Sequence, residues 1–146
     1  MLNLVKEKPS IYSEINHTYE AYPETETISS IFRRIATRYA NKAAISYGDI
    51  EILYADLFTK SSQVANALTH AGCRKGDFVG IYMERSPETV ISILGVLRMG
   101  GIYVPIDPEH PIERNRYIVQ NASCKQLIIK KSHLETAAEL CLALGV

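Results

Sequence analysis

The sequence predicts an α/β fold: a partial doubly wound sheet, mostly parallel, with an N-terminal β-hairpin and helices on both faces. Three features of the 146-residue chain lead to it. From residue 55 onward, segments of helical period alternate with short apolar runs, and such alternation implies right-handed crossovers and a parallel sheet. The run Asp77–Met83 (DFVGIYM) is nearly continuous in apolar residues, as strands covered on both faces are. The segment after it has a helix entry in Ser86-Pro87-Glu88 and an exit in Gly100, the residue types that favour a helix start and a left-handed stop.

Taken in order, residues 1–27 carry no sustained period. They hold Pro9, Pro23 and the polar run ETET, and are read as a leader or linker to a domain spanning 28–146. In TISSIFRRIATRYAN, Ile28, Ile31, Phe32, Ile35 and Tyr39 fall at helical spacing. Thr27 is placed to cap this helix, and Arg33, Arg34 and Arg38 form a solvated face. AAISYGDIEILY reads as two strands around Gly48-Asp49, a two-residue hairpin turn. The next helix runs from Ala55 to His70 and ends at Gly72. Val90–Met99 is apolar almost all round and predicts a deeply buried helix. Gly95 in its middle costs about 1 kcal/mol against Ala, which implies a close neighbour. IYVPI is a strand, PIERNRYIVQNA a helix with Pro111 at its first position, QLIIK a strand and SHLETAAELCLALG a final helix.

Bulk properties exclude several classes. Lys+Arg and Asp+Glu number 16 each, so the net charge is zero. That argues against a nucleic-acid binder and a polybasic membrane anchor. Val90–Met99 is about half the ~20 residues a bilayer span needs, and the N-terminus lacks the apolar core of a signal peptide. A cytoplasmic protein is expected. Cys73, Cys124 and Cys141 are odd in number and widely separated, which fits neither a disulfide framework nor a zinc site. His17, His70 and His133 lack neighbours for nucleophilic work.

The stretch LRMGGIYVPIDPEHPIERNRY places Pro105, Pro108 and Pro111 directly after a strand. It reads as a rigid corner in which Asp107 accepts backbone N–H groups. The sharper reading makes Asp107 and His110 a metal-binding or acid–base pair, for which the sequence offers no third ligand. The spacings Asp107–Arg114 and Glu113–Arg116 suggest local helix-end salt bridges.

These residues also carry a resemblance. LRMGGIYVPIDPEHPIERNRYIVQNA is similar to the second core motif of the amino-acid adenylation domains of non-ribosomal peptide synthetases, in the adenylate-forming (AMP-dependent synthetase and ligase) superfamily. That motif runs roughly Leu-Lys-Ala-Gly-x-Ala-Tyr-Val-Pro-Ile-Asp, then a Pro-x-x-Arg helix. Leu97, Gly100, Tyr103, Val104, Pro105, Ile106 and Asp107 match it; Arg98 stands for Lys and Met99 for Ala. ILYADL resembles the first motif, Leu-Thr/Ser-Tyr-x-Glu-Leu, through Tyr54 and Leu57. Leu53 stands where that motif has a capping hydroxyl, so this helix start is expected to be weaker by about 1 kcal/mol. GDFVGIYMERSPETVISILGVLRMG resembles the strand and buried helix between the motifs. INHTYEAYPETETISSIF resembles the linker from an upstream condensation domain.

The resemblance implies that 28–146 is an incomplete N-terminal subdomain. The complete domain binds ATP with Mg²⁺, makes an aminoacyl-adenylate with release of pyrophosphate, and passes the acyl group to a carrier-protein phosphopantetheine thiol. Its phosphate-binding Ser/Thr/Gly-rich run ending in Pro-Lys-Gly does not occur in this sequence. No residue is therefore assigned a catalytic, cofactor-binding or metal role, and the chain alone is expected to be inactive. The partners implied are the remainder of the domain, a carrier protein and a condensation domain. A non-catalytic docking or split-domain piece, an acyl-CoA ligase and an unrelated nucleotide-binding domain are the alternatives. Family domains lay more sheet and helix over this region, so self-association, partner dependence or partial disorder of the isolated chain is expected.

Overall fold

The computed structural model describes Ala21 and residues 24–144. The leader assigned to residues 1–27 therefore lies mostly outside the described residues.

Helix α1 (Ile28–Arg38) starts at a reciprocal cap. The Ser30 N–H donates to Thr27 Oγ1 at 3.2 Å, and the Thr27 N–H donates to Ser30 Oγ at 2.9 Å. Both orphan donors are thus satisfied by short side chains. Strands β1 (Ala43–Tyr47) and β2 (Ile50–Leu53) pair antiparallel, Tyr47 opposite Ile50, around the predicted turn. Gly48 takes φ +56°, the left-handed conformation that a side chain disfavours.

Helix α2 (Tyr54–His70) starts at Leu53 with no side-chain cap, as expected from a residue without a hydroxyl. Then come β3 (Phe78–Tyr82), α3 (Pro87–Met99), β4 (Ile102–Ile106), α4 (Ile112–Asn121), β5 (Gln126–Ile129), a 3₁₀ turn (Lys131–His133) and α5 (Leu134–Leu144). Ser86 is the N-cap of α3, as expected, though its side chain makes no capping bond; its hydroxyl lies 3.3 Å from Thr89 Oγ1. One local expectation needs correction. Pro111 is the N-cap of α4 rather than its first helical residue, with ψ 140°.

The sheet order is β4-β3-β5, all parallel. The chain steps from β3 to β4 and then crosses back over β3 to reach β5. Right-handed crossovers in opposite directions put successive helices on opposite faces. On one face Val79, Ile81 and Met83 of the β3 segment pack with Leu68 of α2 and Val96 of α3. On the other, Tyr82 and Ile106 pack with Val119 of α4 and with Ala137 and Leu140 of α5. The hairpin joins the first face through Ile52, Leu57 and Ile91, with Phe32 and Leu94 against them. The helix predicted to be deeply buried is so along Ile91, Ser92, Gly95 and Val96, whereas Val90 is exposed.

Helix α5 has two apolar sides. Ala137 and Leu140 are fully buried, while Leu134 and Leu142 are exposed. With Ala138, Cys141 and Ile129 of β5, the exposed pair lines a groove of about 450 Å³. It lies by the terminal strand β5, which has one neighbour only, β3, among the described residues. No helix among the described residues is long and apolar enough to cross a membrane.

Candidate functional site

In a doubly wound sheet, adjacent strands whose following helices lie on opposite faces leave a crevice at their carboxyl ends. Strands β3 and β4 meet this condition. A cleft of about 610 Å³ opens there. Its floor is apolar: Ile81 and Met83 from the β3 segment, Ile93 from α3, Pro105 and Ile106 from β4. Its rim is charged, with Glu84 and Arg85 after β3 and Asp107, Glu109 and His110 after β4.

Glu84 is the hub of one wall. Its carboxylate accepts from Lys130 Nζ at 2.8 Å and pairs with His133 Nε2 at 2.7 Å. Parallel register explains the meeting: Tyr82 lies opposite Ile129, so the residues just past each strand end are neighbours. These two bonds, Lys130 first, pull the Glu84 carboxyl down to about 2, and Glu84 in turn raises Lys130. The His133 ring also meets the Tyr82 ring edge-on at 5.6 Å between centroids.

The opposite wall is the loop Asp107–His110. Asp107 Oδ1 accepts from the Glu109 N–H at 2.9 Å, the turn-stabilising role its sequence position suggests. The amide of Asn115, a fully buried residue of α4, donates to the Asp107 carbonyl at 2.9 Å and to the His110 carbonyl at 3.4 Å. Asn115 Oδ1 and His110 Nδ1 are buried without hydrogen-bond partners among the described residues. Burial, and after it the Asp107 charge, push the Tyr82 hydroxyl above its ordinary range.

The structure brings Asp107 and His110 to one cleft without pairing their side chains. Asp107 is occupied by the backbone of Glu109. No group of three or more His, Cys, Asp or Glu among the described residues is placed to hold a metal. The predicted local salt bridges are replaced by a longer-range one: Arg116 Nη2 reaches Glu139 Oε2 of α5 at 3.5 Å. Cys73 and Cys124 are buried, and burial raises both thiols, which keeps them protonated. Asn115 and the Glu84–Lys130–His133 cluster were not predicted. A signal for Asn115 existed, since it fills the gap in the apolar stripe Ile112, Val119, Ala122.

As a donor set the cleft does not fit a triphosphate. The rim carries three carboxylates, Glu84, Asp107 and Glu109, against Arg85 and the Lys130 ammonium paired with Glu84, which leaves it acidic. Like charges there repel phosphate oxygens. An apolar floor with a polar rim suits instead a partly apolar group held by its ends.

Comparison with known proteins gives the following. Residues 32–145 match the sequence profile of the family described as AMP-binding enzyme. Bacitracin synthase 1 of Bacillus licheniformis is 40% identical over 123 residues, covering 84% of this chain and 2% of that protein. The anthranilate CoA ligase AuaEII, solved in complex with anthranoyl-AMP, superposes with a TM-score of 0.76 at 28% identity, over 84% of this chain and 24% of that one. NpsA-ThdA of Klebsiella oxytoca, an artificially fused adenylation–PCP di-domain, superposes with a TM-score of 0.68 at 29% identity, over 71% of this chain and 20% of that one. The chain thus spans a small part of each relative's length.

Proposed function

As this chain belongs to the AMP-binding enzyme family, we propose that it is the N-terminal portion of an ATP-dependent amino-acid-activating (adenylation) domain of non-ribosomal peptide synthesis. Residues 1–27 are its leader and 28–146 an incomplete N-terminal subdomain. In the complete domain an aminoacyl-adenylate is made from ATP and an amino acid and passed to a carrier-protein thiol. A cytoplasmic location goes with this reading, supported by the supply of ATP there.

The observation that carries this reading is the extent of the family match, which runs from α1 through the whole doubly wound sheet to α5. The similarity to bacitracin synthase 1 favours the peptide-synthetase branch. The similarity to a fused adenylation–PCP di-domain supports a carrier protein as partner. ATP, with its Mg²⁺, is held by the remainder of the domain, because the acidic rim of the switch-point cleft repels phosphate oxygens.

The remainder of the domain is also the occupant of the groove beside β5. A strand following a right-handed α5 crossover lies parallel to β5 on its free edge. Its apolar side chains cover Ile129, Leu134 and Leu142. The lengths of the relatives, of which this chain covers 20% and 24%, supply ample chain for this. A second reading, an acyl-CoA ligase, is favoured by the superposition on AuaEII.

The test is ATP–pyrophosphate exchange. The chain alone is expected to give none. With the rest of the domain added, exchange dependent on an amino acid supports the first reading, and exchange dependent on a carboxylic acid without an amino group supports the second. Exchange by the 146 residues unaided contradicts both.

A further inference from the structure

A second, smaller cleft of about 160 Å³ lies where α1, α2 and α3 meet, lined by Ser29, Arg33, Ser62, Ala65, Asn66 and Arg98. Among the described residues it is lined by two guanidiniums and no carboxylate. Neither Arg33 nor Arg98 forms an ion pair among the described residues, although Arg34, one residue on, reaches Glu26 at 2.8 Å. The hydroxyl protons are committed, Ser29 Oγ to the Leu97 carbonyl at 2.9 Å and Ser62 Oγ to the Phe58 carbonyl at 2.6 Å. The donors left to the cleft are the guanidiniums and the Asn66 amide.

Arg98 is held rather than free to swing away. Its guanidinium carbon lies 4.0 Å from the Phe58 ring centroid, and its Nε is buried without a hydrogen-bond partner. Desolvation, and after it the Arg33 charge, oppose its positive form, yet an arginine stays protonated in proteins. Stacking on Phe58 and a place in the last turn of α3 account for Arg98 alone. They do not account for a second unpaired guanidinium lining the same cleft. Arg33, open to solvent, and Arg98, with its buried and unmade donor, thus line one cleft that has no carboxylate among the described residues. Two guanidinium forks match the geometry and the double charge of a phosphate.

We propose that this cleft binds a single phosphoryl group, as free phosphate or as the terminal group of a phosphate ester, through Arg33 and Arg98. The site is separate from the switch-point cleft, whose rim is acidic, and shares no lining residue with it. It does not depend on the adenylation reading.

The test is equilibrium dialysis of radiolabelled inorganic phosphate against the full 146-residue chain at constant ionic strength, with chloride as the balancing ion. Saturable phosphate binding is expected. Arg33→Gln is the main variant, because Arg33 is exposed and its replacement leaves the core intact. It should weaken binding at least tenfold, the loss expected for a charge-assisted bond. Arg98→Lys keeps the charge but not the fork, and should also weaken binding. Competition with glycerol phosphate separates the sources: stronger competition than by inorganic phosphate identifies an ester, and equal or weaker competition identifies the free ion. Absence of saturable binding, or equal affinity in the wild type and Arg33→Gln, overturns the proposal.

Discussion

Gly95 of α3 lies against Val64 of α2 so closely that a Cβ built on the glycine falls 2.5 Å from Val64 Cγ1 and 3.2 Å from the Ser61 carbonyl oxygen. Alanine is favoured over glycine in a helix by about 1 kcal/mol, so Gly95→Ala stabilises the protein unless contact overrules propensity. At 2.5 Å from a branched side chain it does. We expect Gly95→Ala to destabilise by about 1–3 kcal/mol, the usual cost of overpacking. Val64→Ala added to Gly95→Ala should recover part of that loss. Urea midpoints of the two singles and the double check this. A Gly95→Ala protein more stable than wild type contradicts the packing.

The Glu84–Lys130–His133 cluster predicts a pH dependence. The Glu84 carboxyl is pulled from 4.5 to about 2 in the folded protein. Between those values the unfolded chain binds more protons, so stability rises with pH. The contribution is complete above pH 4.5 and is lost as pH falls through about 2. Lys130 is shifted upward, so its share is complete below its unfolded value of 10.5 and is lost as pH rises through the folded one. The effect is small, because all three side chains are partly solvated. Melting midpoints measured from pH 2 to 6 should climb more steeply for wild type than for Glu84→Gln. Parallel curves exclude the cluster.

What the sequence revealed follows from the range of each interaction. The cap at Thr27, the turn at Gly48 and the exit at Gly100 are legible because each rests on one residue's conformational freedom or its neighbours three or four positions away; at Gly95 only the need for a close neighbour is legible, since Val64 comes from another helix. The missing cap at Leu53 is legible for the same reason. The switch-point wall is not. Glu84 meets Lys130 and His133 across 46 and 49 residues, and only the strand order β4-β3-β5 brings them together. The pairing of Arg116 with Glu139 rather than Glu113 likewise depends on how α4 packs on α5. Asn115 reads as a break in an apolar stripe until the loop carbonyls it serves are placed beside it.

Asn115 predicts an ordered response to substitution. Its amide holds the Asp107 and His110 carbonyls, so Asn115→Ala leaves them unserved and opens a small cavity. We expect a loss of about 2–3 kcal/mol, with faster hydrogen exchange at the Glu109 N–H. Asn115→Asp is worse at neutral pH, since a buried carboxylate then faces two carbonyl oxygens. Its deficit should shrink as the pH falls and the acid gains a proton to donate. Chemical denaturation of both variants at acidic and neutral pH tests the order. Asn115→Asp as stable as wild type at neutral pH refutes the assignment.

Leu142 tests the open side of the fold. It is 79% exposed, and with Leu134 it continues the apolar groove beside the free edge of β5. An apolar helix side next to an unpaired strand edge favours association with whatever offers a strand. In the isolated chain the nearest supply is another copy, so self-association growing with concentration is expected. Burying one leucine contributes about 1.5–3 kcal/mol. Leu142→Asp should therefore weaken association about 10- to 100-fold and leave the helical content unchanged, because Ala137 and Leu140 hold α5 to the sheet. The same substitution should weaken complementation by the rest of the domain in the exchange assay. Sedimentation velocity of wild type and Leu142→Asp over a concentration series decides the first point. A wild-type chain that stays a monodisperse monomer throughout shows that this face needs no cover.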